Sequence, residues 1–237
     1  MSNSLSALLS ATFYEPGYEH LVELVHQRDP AGRRRLTSLD LSVFDADGKL
    51  LHEHPVDTGV ETLDLGALLA PIAGQHGRVM AVFDARYEEL AFPYRPHHYA
   101  YLHRKGSATP ALYYAVSAAL GGVPDRLGNV SRLNNFDTYV FRQSPNAAQY
   151  SVMLGNLGRF ASAEAQVFAY YGAARVERTV ALAPRAHAEV ALAPEHGGRR
   201  LTRVETKSLF RLASYVVGRR QPSGDLVLFD HLFTFFK

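Results

Sequence analysis

Apolar and polar residues alternate with a period of two along much of this chain. Leu39, Leu41 and Val43 fall on one face of an extended segment, and Asp40, Ser42 and Phe44 on the other. Asp45-Ala46-Asp47-Gly48 interrupts the alternation and Lys49-Leu50-Leu51-His52-Glu53-His54 resumes it, which predicts a hairpin turned by Asp and Gly. The same pattern predicts strands in residues 61–65, 78–84, 99–103, 138–142, 150–154, 165–171, 175–182, 187–192, 210–217 and 226–236. Helical spacing predicts two turns each in Leu5–Ala11, Leu65–Ile72 and Tyr113–Leu120, the last stopped by Gly121-Gly122. Strands divided by turns, with no strand–helix alternation, predict a mostly β, antiparallel fold with short helices in connectors.

The strand pattern occurs twice. Leu39–Leu68 parallels Ala163–Pro194, with Val43-Phe44 opposite Val167-Phe168 and Gly48 opposite Gly172. Upstream, His20–Leu24 parallels Tyr150–Leu154. Downstream, Val79–Phe83 parallels Arg211–Tyr215, and His97–Leu102 parallels Asp230–Phe235. Matches in the same order in both halves predict an internal duplication. The expected organisation is a first β-sandwich at 14–104, a connector and packing segment at 105–143, and a second sandwich at 144–237.

In the second copy, Asn156-Leu157-Gly158 precedes the strand Ala163–Tyr171, Gly172 turns the chain, and Ala183-Pro184-Arg185-Ala186-His187 leads to the next edge. With these features the segment resembles an immunoglobulin-like β-sandwich. It is similar to adhesion-type Ig-like modules and to the small β-sandwich family of sensory rhodopsin transducers. The resemblance covers Ala148–Phe236 and, in weaker form, Gly17–His103. It implies two tandem Ig-like sandwiches and a binding role, and it carries no catalytic residue across.

Composition narrows the chemistry. The 237 residues are 47% hydrophobic and 20% charged, which excludes a disordered or collagen-like chain. There is no cysteine, so disulfides, thiolate metal sites and a cysteine nucleophile are excluded; there is no tryptophan either, against 13 Tyr and 13 Phe. A net charge of +2 is too small to imply nucleic acid without a clustered patch. Arg33-Arg34-Arg35, Arg199-Arg200 and Arg219-Arg220 read as solvated hairpin tips. No stretch approaches the ~20 apolar residues of a membrane span, and residues 1–13 lack the basic and apolar regions of a secretory signal. These features predict a cytoplasmic protein without a membrane or nucleic-acid partner.

Two functional readings follow. In the first, the chain is a non-enzymatic binding or assembly module. Its aromatic surface of Tyr94, Tyr99, Tyr101, Tyr113 and Tyr114 and the polar cluster Arg132, Asn134, Asn135 and Asp137 would recognise a carbohydrate-like or other polar small molecule, or a protein partner. Tyr99, Tyr101, Arg132, Asn134 and Asn135 are the ligand-binding candidates, and sandwich edges offer self-association into a homo-oligomer. This reading needs no cofactor. In the second, His52 and His54 share one strand face, and together with His98 and His103 they hold a divalent transition metal for a metal-dependent enzyme. That site requires the two histidine-bearing strands to be neighbours.

Overall fold

The computed structural model describes residues 7–24, 36–87, 98–108, 110–120, 135–141, 149–209 and 211–234. These form four antiparallel sheets, one small hairpin and a single helix. Sheet A has the order β4(Leu50–Pro55)-β3(Leu36–Phe44)-β6(Val79–Tyr87)-β1(Ala7–Tyr14)-β9(Ser117–Leu120). Sheet B is β5(Thr62–Asp64)-β2(Tyr18–Glu23)-β7(Tyr99–Arg104)-β8(Leu112–Ala115). Sheet C is β13(Ala174–Leu182)-β12(Ala163–Tyr171)-β17(Arg203–Ser208)-β10(Asn135–Val140)-β20(Phe233–Thr234). Sheet D is β14(His187–Leu192)-β11(Gln149–Gly155)-β18(Ala213–Arg219)-β19(Leu226–His231).

The strand orders of the two halves correspond one to one: A to C and B to D. The connection from β5 to β6 carries the helix α1(Leu65–His76), and its counterpart carries the hairpin β15(Glu195–His196)–β16(Arg199–Arg200). The sequence matches are in register as far as β5 and β14. Beyond them they slip by one strand, because Val79–Phe83 enters β6, the counterpart of β17, whereas Arg211–Tyr215 enters β18. Segment 105–143 contributes β8 and β9 to the first pair of sheets and β10 to the second.

Local chemistry accounts for the elements. In the β3–β4 turn the Asp45 carboxylate accepts the Asp47 and Lys49 N–H groups at 3.0 and 2.8 Å, and Gly48 takes φ +85°. Asp64 caps α1 by accepting the Ala67 N–H at 2.8 Å. Leu65, Leu69 and Ala73 then enter the core between sheets A and B. The helices expected at Leu5–Ala11 and Tyr113–Leu120 are strands instead: β1, and β8 with β9. Residues 8–14 of β1 are all buried, so this strand is covered on both faces, and its alternate positions Ser10 and Thr12 are as buried as Leu9, Ala11 and Phe13.

Burial on both faces also marks β6, β11 and β18. The sheets therefore stack in the order B–A–D–C, and A packs face to face on D. One core joins sheets A and B to Met153, Ala213, Tyr215, Val217 and Phe229 of sheet D. A second fills the space between D and C through Val152, Leu154, Val167, Val204 and Val216. At the A–D contact the Tyr215 hydroxyl donates to Ala11 O and accepts the Ser117 N–H, both at 2.6 Å. Its ring meets Phe13 and Tyr114 edge-on and Phe229 in parallel. Gly155 lies under Met80 and Phe13, where a Cβ would stand 3.1 Å from Phe13 Cζ and closer still to Met80 Sδ. Around this centre Arg219 and Arg78 bond Glu15 at 2.6 and 3.4 Å, Arg159 bonds Asp84 at 3.0 Å, and Arg104 pairs with Asp225. None of the described helices is long and apolar enough to cross a membrane.

Replacing Tyr215 by Phe keeps the ring but leaves the buried Ser117 N–H without its acceptor. The expected loss is roughly 1–3 kcal/mol in urea denaturation. Gly155→Val should cost at least as much by overpacking, while Tyr113→Phe on the outer surface should stay within about 0.5 kcal/mol.

Two buried histidines make stability depend on pH. His20 Nε2 lies 2.8 Å from Tyr114 Oη, and burial lowers its pKa to about 3. His187 packs edge-on against Phe13, where burial and then Arg78 lower its pKa to about 4. Both are neutral at pH 7, so stability is intact above the unfolded histidine pKa of about 6.5. As pH falls from there through about 4, the unfolded chain binds protons that the folded chain does not, and stability declines. About 2 kcal/mol per histidine should be lost between pH 7 and pH 5, and His187→Gln should shrink the measured drop by roughly half.

Candidate functional site

Among the described residues, no other sheet covers the outer face of sheet B. In β2, Tyr18, His20 and Val22 point inward, while Glu19, Leu21 and Glu23 point out. In β7, Ala100 and Leu102 are buried, leaving Tyr99, Tyr101 and His103 outside. Register sets the rows: Glu23 lies opposite Tyr99, Leu21 opposite Tyr101, and Glu19 opposite His103. On the next strand Tyr113 lies opposite Tyr101. Directly paired residues of an antiparallel sheet share a face, so the tyrosines form one patch.

Tyr99 and Tyr113 stack with centroids 5.6 Å apart and planes within 1°. Tyr113 is 60% exposed, and its hydroxyl donates to Glu23 Oε2 at 2.8 Å. That bond to a carboxylate raises the pKa of Tyr113, so the phenol stays a neutral donor. His103 Nδ1 lies 3.6 Å from Glu19, forming an ion pair when protonated, and its ring tilts toward Tyr101 at 6.4 Å. Tyr114, the neighbour of Tyr113, points into the core, where its hydroxyl meets Thr12 at 2.6 Å.

Of the other ligand-binding candidates, only Asn135 lies among the described residues, and it is not brought to this patch. Arg132 and Asn134, like Tyr94, lie outside the described residues. Asn135 opens β10 opposite Ser208 in sheet C, at the far end of the stack.

The expected metal centre does not form from His52, His54, His98 and His103. His52 and His54 stack 6.2 Å apart on β4, the edge strand of sheet A, opposite Val43 and Leu41. His98 is buried between sheets A and B against Phe83. His103 is on the outer face of B. The two histidine-bearing strands belong to different sheets and have no pairing in common. Among the described residues, no group of three or more His, Asp or Glu is placed to hold a metal ion.

A second feature has no signature in the sequence. A cleft of about 580 Å³ opens along the edge of sheet D and is lined by Ser151, Arg178, Glu189 and Arg219 among others. Glu189 accepts from Ser151 and pairs with Arg78. Burial opposes ionisation of Glu189, but the Ser151 and Arg78 bonds outweigh it and its pKa is lowered. A short strand with a small residue, a carboxylate and an arginine at alternating places reads as an ordinary solvated edge, and only strand pairing assembles the cleft.

Comparison with known proteins identifies no family. The sequence matches no protein-family model and no curated protein. A chain from the crystal structure of Bacteroides uniformis beta-glucuronidase aligns with 95% of this chain and 26% of its own length. At 9% identity and a TM-score of 0.18, that likeness bears on neither fold nor function, and this chain spans about a quarter of the length of that one.

Proposed function

We propose that this protein is a non-enzymatic binding module and that the outer face of sheet B is its recognition surface, directed at a saccharide. The parallel Tyr99–Tyr113 pair, with Tyr113 largely exposed, carries this reading. A flat phenol ring accepts the C–H face of a pyranose, and rigid tyrosines lose little entropy on contact. Glu19 and Glu23 beside the rings supply acceptors for sugar hydroxyls. The identical strand orders further support reading the halves as copies of one sandwich unit, of the immunoglobulin-like kind that the second half resembles.

One observation favours a second reading, in which the same face takes a protein. Sheet D is the counterpart of sheet B in strand order, and its corresponding face is covered by sheet A. A face of this topology therefore already serves as a sheet-docking surface once within the chain.

Screening the full chain on immobilised oligosaccharides, followed by calorimetry with the best neutral sugar, separates the readings. Tyr113→Ala and Tyr99→Ala should each weaken saccharide binding about tenfold, equivalent to ~1.4 kcal/mol, with the melting temperature of the exposed Tyr113 variant unchanged. Absence of saccharide binding, with a dimer in light scattering that Tyr113→Ala dissolves, would replace the first reading by the second.

A further inference from the structure

The two halves differ most where α1 stands in one and the β15–β16 hairpin in the other. In the first half α1 drives Leu65, Leu69 and Ala73 into the sandwich, and Gly66 packs on the backbone of β2 close to His20 N and Tyr18 O. In the second half all residues of β15 and β16 are exposed, and this connection gives the C–D core only Leu201, just beyond β16, while His196 of β15 lies against Tyr171. The outer cleft of about 580 Å³ opens at the corresponding strand ends. Beside it lies an inner recess of about 130 Å³, walled by Val167, Ala169, Tyr171, Val176 and Leu192. Cleft and recess share Arg178, Ala191, Leu192 and Ala193, so they form one groove between the edge strands β13 and β14.

The charges at this groove do not cancel. Glu189 is matched by Arg78, and Arg219 by Glu15. Arg178, exposed on β13, makes no hydrogen bond or ion pair among the described residues. Arg200 beside Tyr150 adds further positive potential. One guanidinium is thus left over above an apolar recess.

We propose that this groove binds a small aryl or short-alkyl carboxylate, with the carboxylate on Arg178 and the apolar group in the recess. Arginine presents a planar fork matched to a carboxylate. The cleft volume falls in the range of small-ligand sites, roughly 300–1,000 Å³. The recess sets the size of the tail: at about 130 Å³ it is a little smaller than a cavity of about 150 Å³ that holds a benzene ring, so a short chain or a phenyl group projecting partly into the cleft fits and a long acyl chain does not. This site is independent of the tyrosine face.

Calorimetry on the full chain tests it with phenylacetate, and with 2-phenylethanol as a neutral probe with the same ring. Phenylacetate should bind with a submillimolar Kd, and the alcohol about tenfold or more weaker. Arg178→Gln should bring the acid to the level of the alcohol while leaving the alcohol and the melting temperature unchanged. Ala191→Phe, which fills the junction of cleft and recess from an exposed position, should abolish binding of both. The proposal is overturned if phenylacetate fails to bind up to roughly 10 mM, if acid and alcohol bind equally, or if Arg178→Gln leaves the acid unaffected. It is also overturned if decanoate binds more tightly than phenylacetate, or if inorganic phosphate binds as well as the acid.

Discussion

The rest of the molecule depends on the face-to-face packing of sheets A and D. Because β1, β6, β11 and β18 are covered on both sides, two of the four outer sheet faces are consumed inside the chain. Shape complementarity is held there by Gly155 beneath Met80 and Phe13, and orientation by the Tyr215 hydroxyl between Ala11 O and Ser117 N. A hydroxyl that accepts one backbone group and donates to another tolerates little sliding, since displacement would strand both partners away from water. Among the described residues, the outer faces of B and C and the open edges then remain available for partners.

Those two outer faces are chemically unlike. On sheet C the cations already have local partners: Arg175 pairs with Glu177 and lies over Phe168, and Arg203 pairs with Glu205 and lies 4.1 Å from the centre of the Tyr170 ring. Such a surface is self-satisfied and solvated. On sheet B Tyr113 is largely exposed, and the Glu23 and Glu19 carboxylates, each with one partner in Tyr113 or His103, have acceptor capacity left. That contrast, more than exposure alone, is the ground for proposing B rather than C as the recognition face.

Legibility in the sequence followed burial. Strands with one wet face, such as β3, β7 and β12, announced themselves by alternation, and the Asp45–Gly48 turn by its residues. Strand β1 did not, because its leucines and alanines at Leu5, Ala7, Leu8, Leu9 and Ala11 also fit helical spacing, and Ser10 and Thr12, buried here, carry no sign of a wet face. The repeat was readable up to β5 and β14, and then drifted because α1 and the β15–β16 hairpin have different lengths and different periods. Tyr99 and Tyr101 could be placed on one face by parity alone. The histidines could not be gathered in the same way, since parity fixes the face of one strand but not which strand lies beside it. His52 and His103 are near in sequence and separated by sheet assignment. The groove at Arg178 is legible only from pairing and from the absence of a helix at one corner.

The lack of tryptophan and cysteine bears on why the two halves diverge. Large core volume here comes from tyrosines whose hydroxyls must each find a partner: Tyr215 with Ala11 and Ser117, Tyr114 with Thr12 and His20, Tyr171 with Ala193 O. Tyr114 sits in the first core against Tyr215 and Phe229, and its hydroxyl meets Thr12 of sheet A and His20 of its own sheet. Tyr171 instead spans the open mouth of the second sandwich, tying β12 to the chain just beyond β14. Its bond fixes the distance between the two sides of the groove without filling the space between them. A helix there would add apolar burial and close the recess, whereas a tyrosine strut holds the walls apart. The second half thus gives up some buried apolar area in exchange for a preformed opening, and a preformed opening is what a small ligand needs if it is not to bear the cost of ordering its own site.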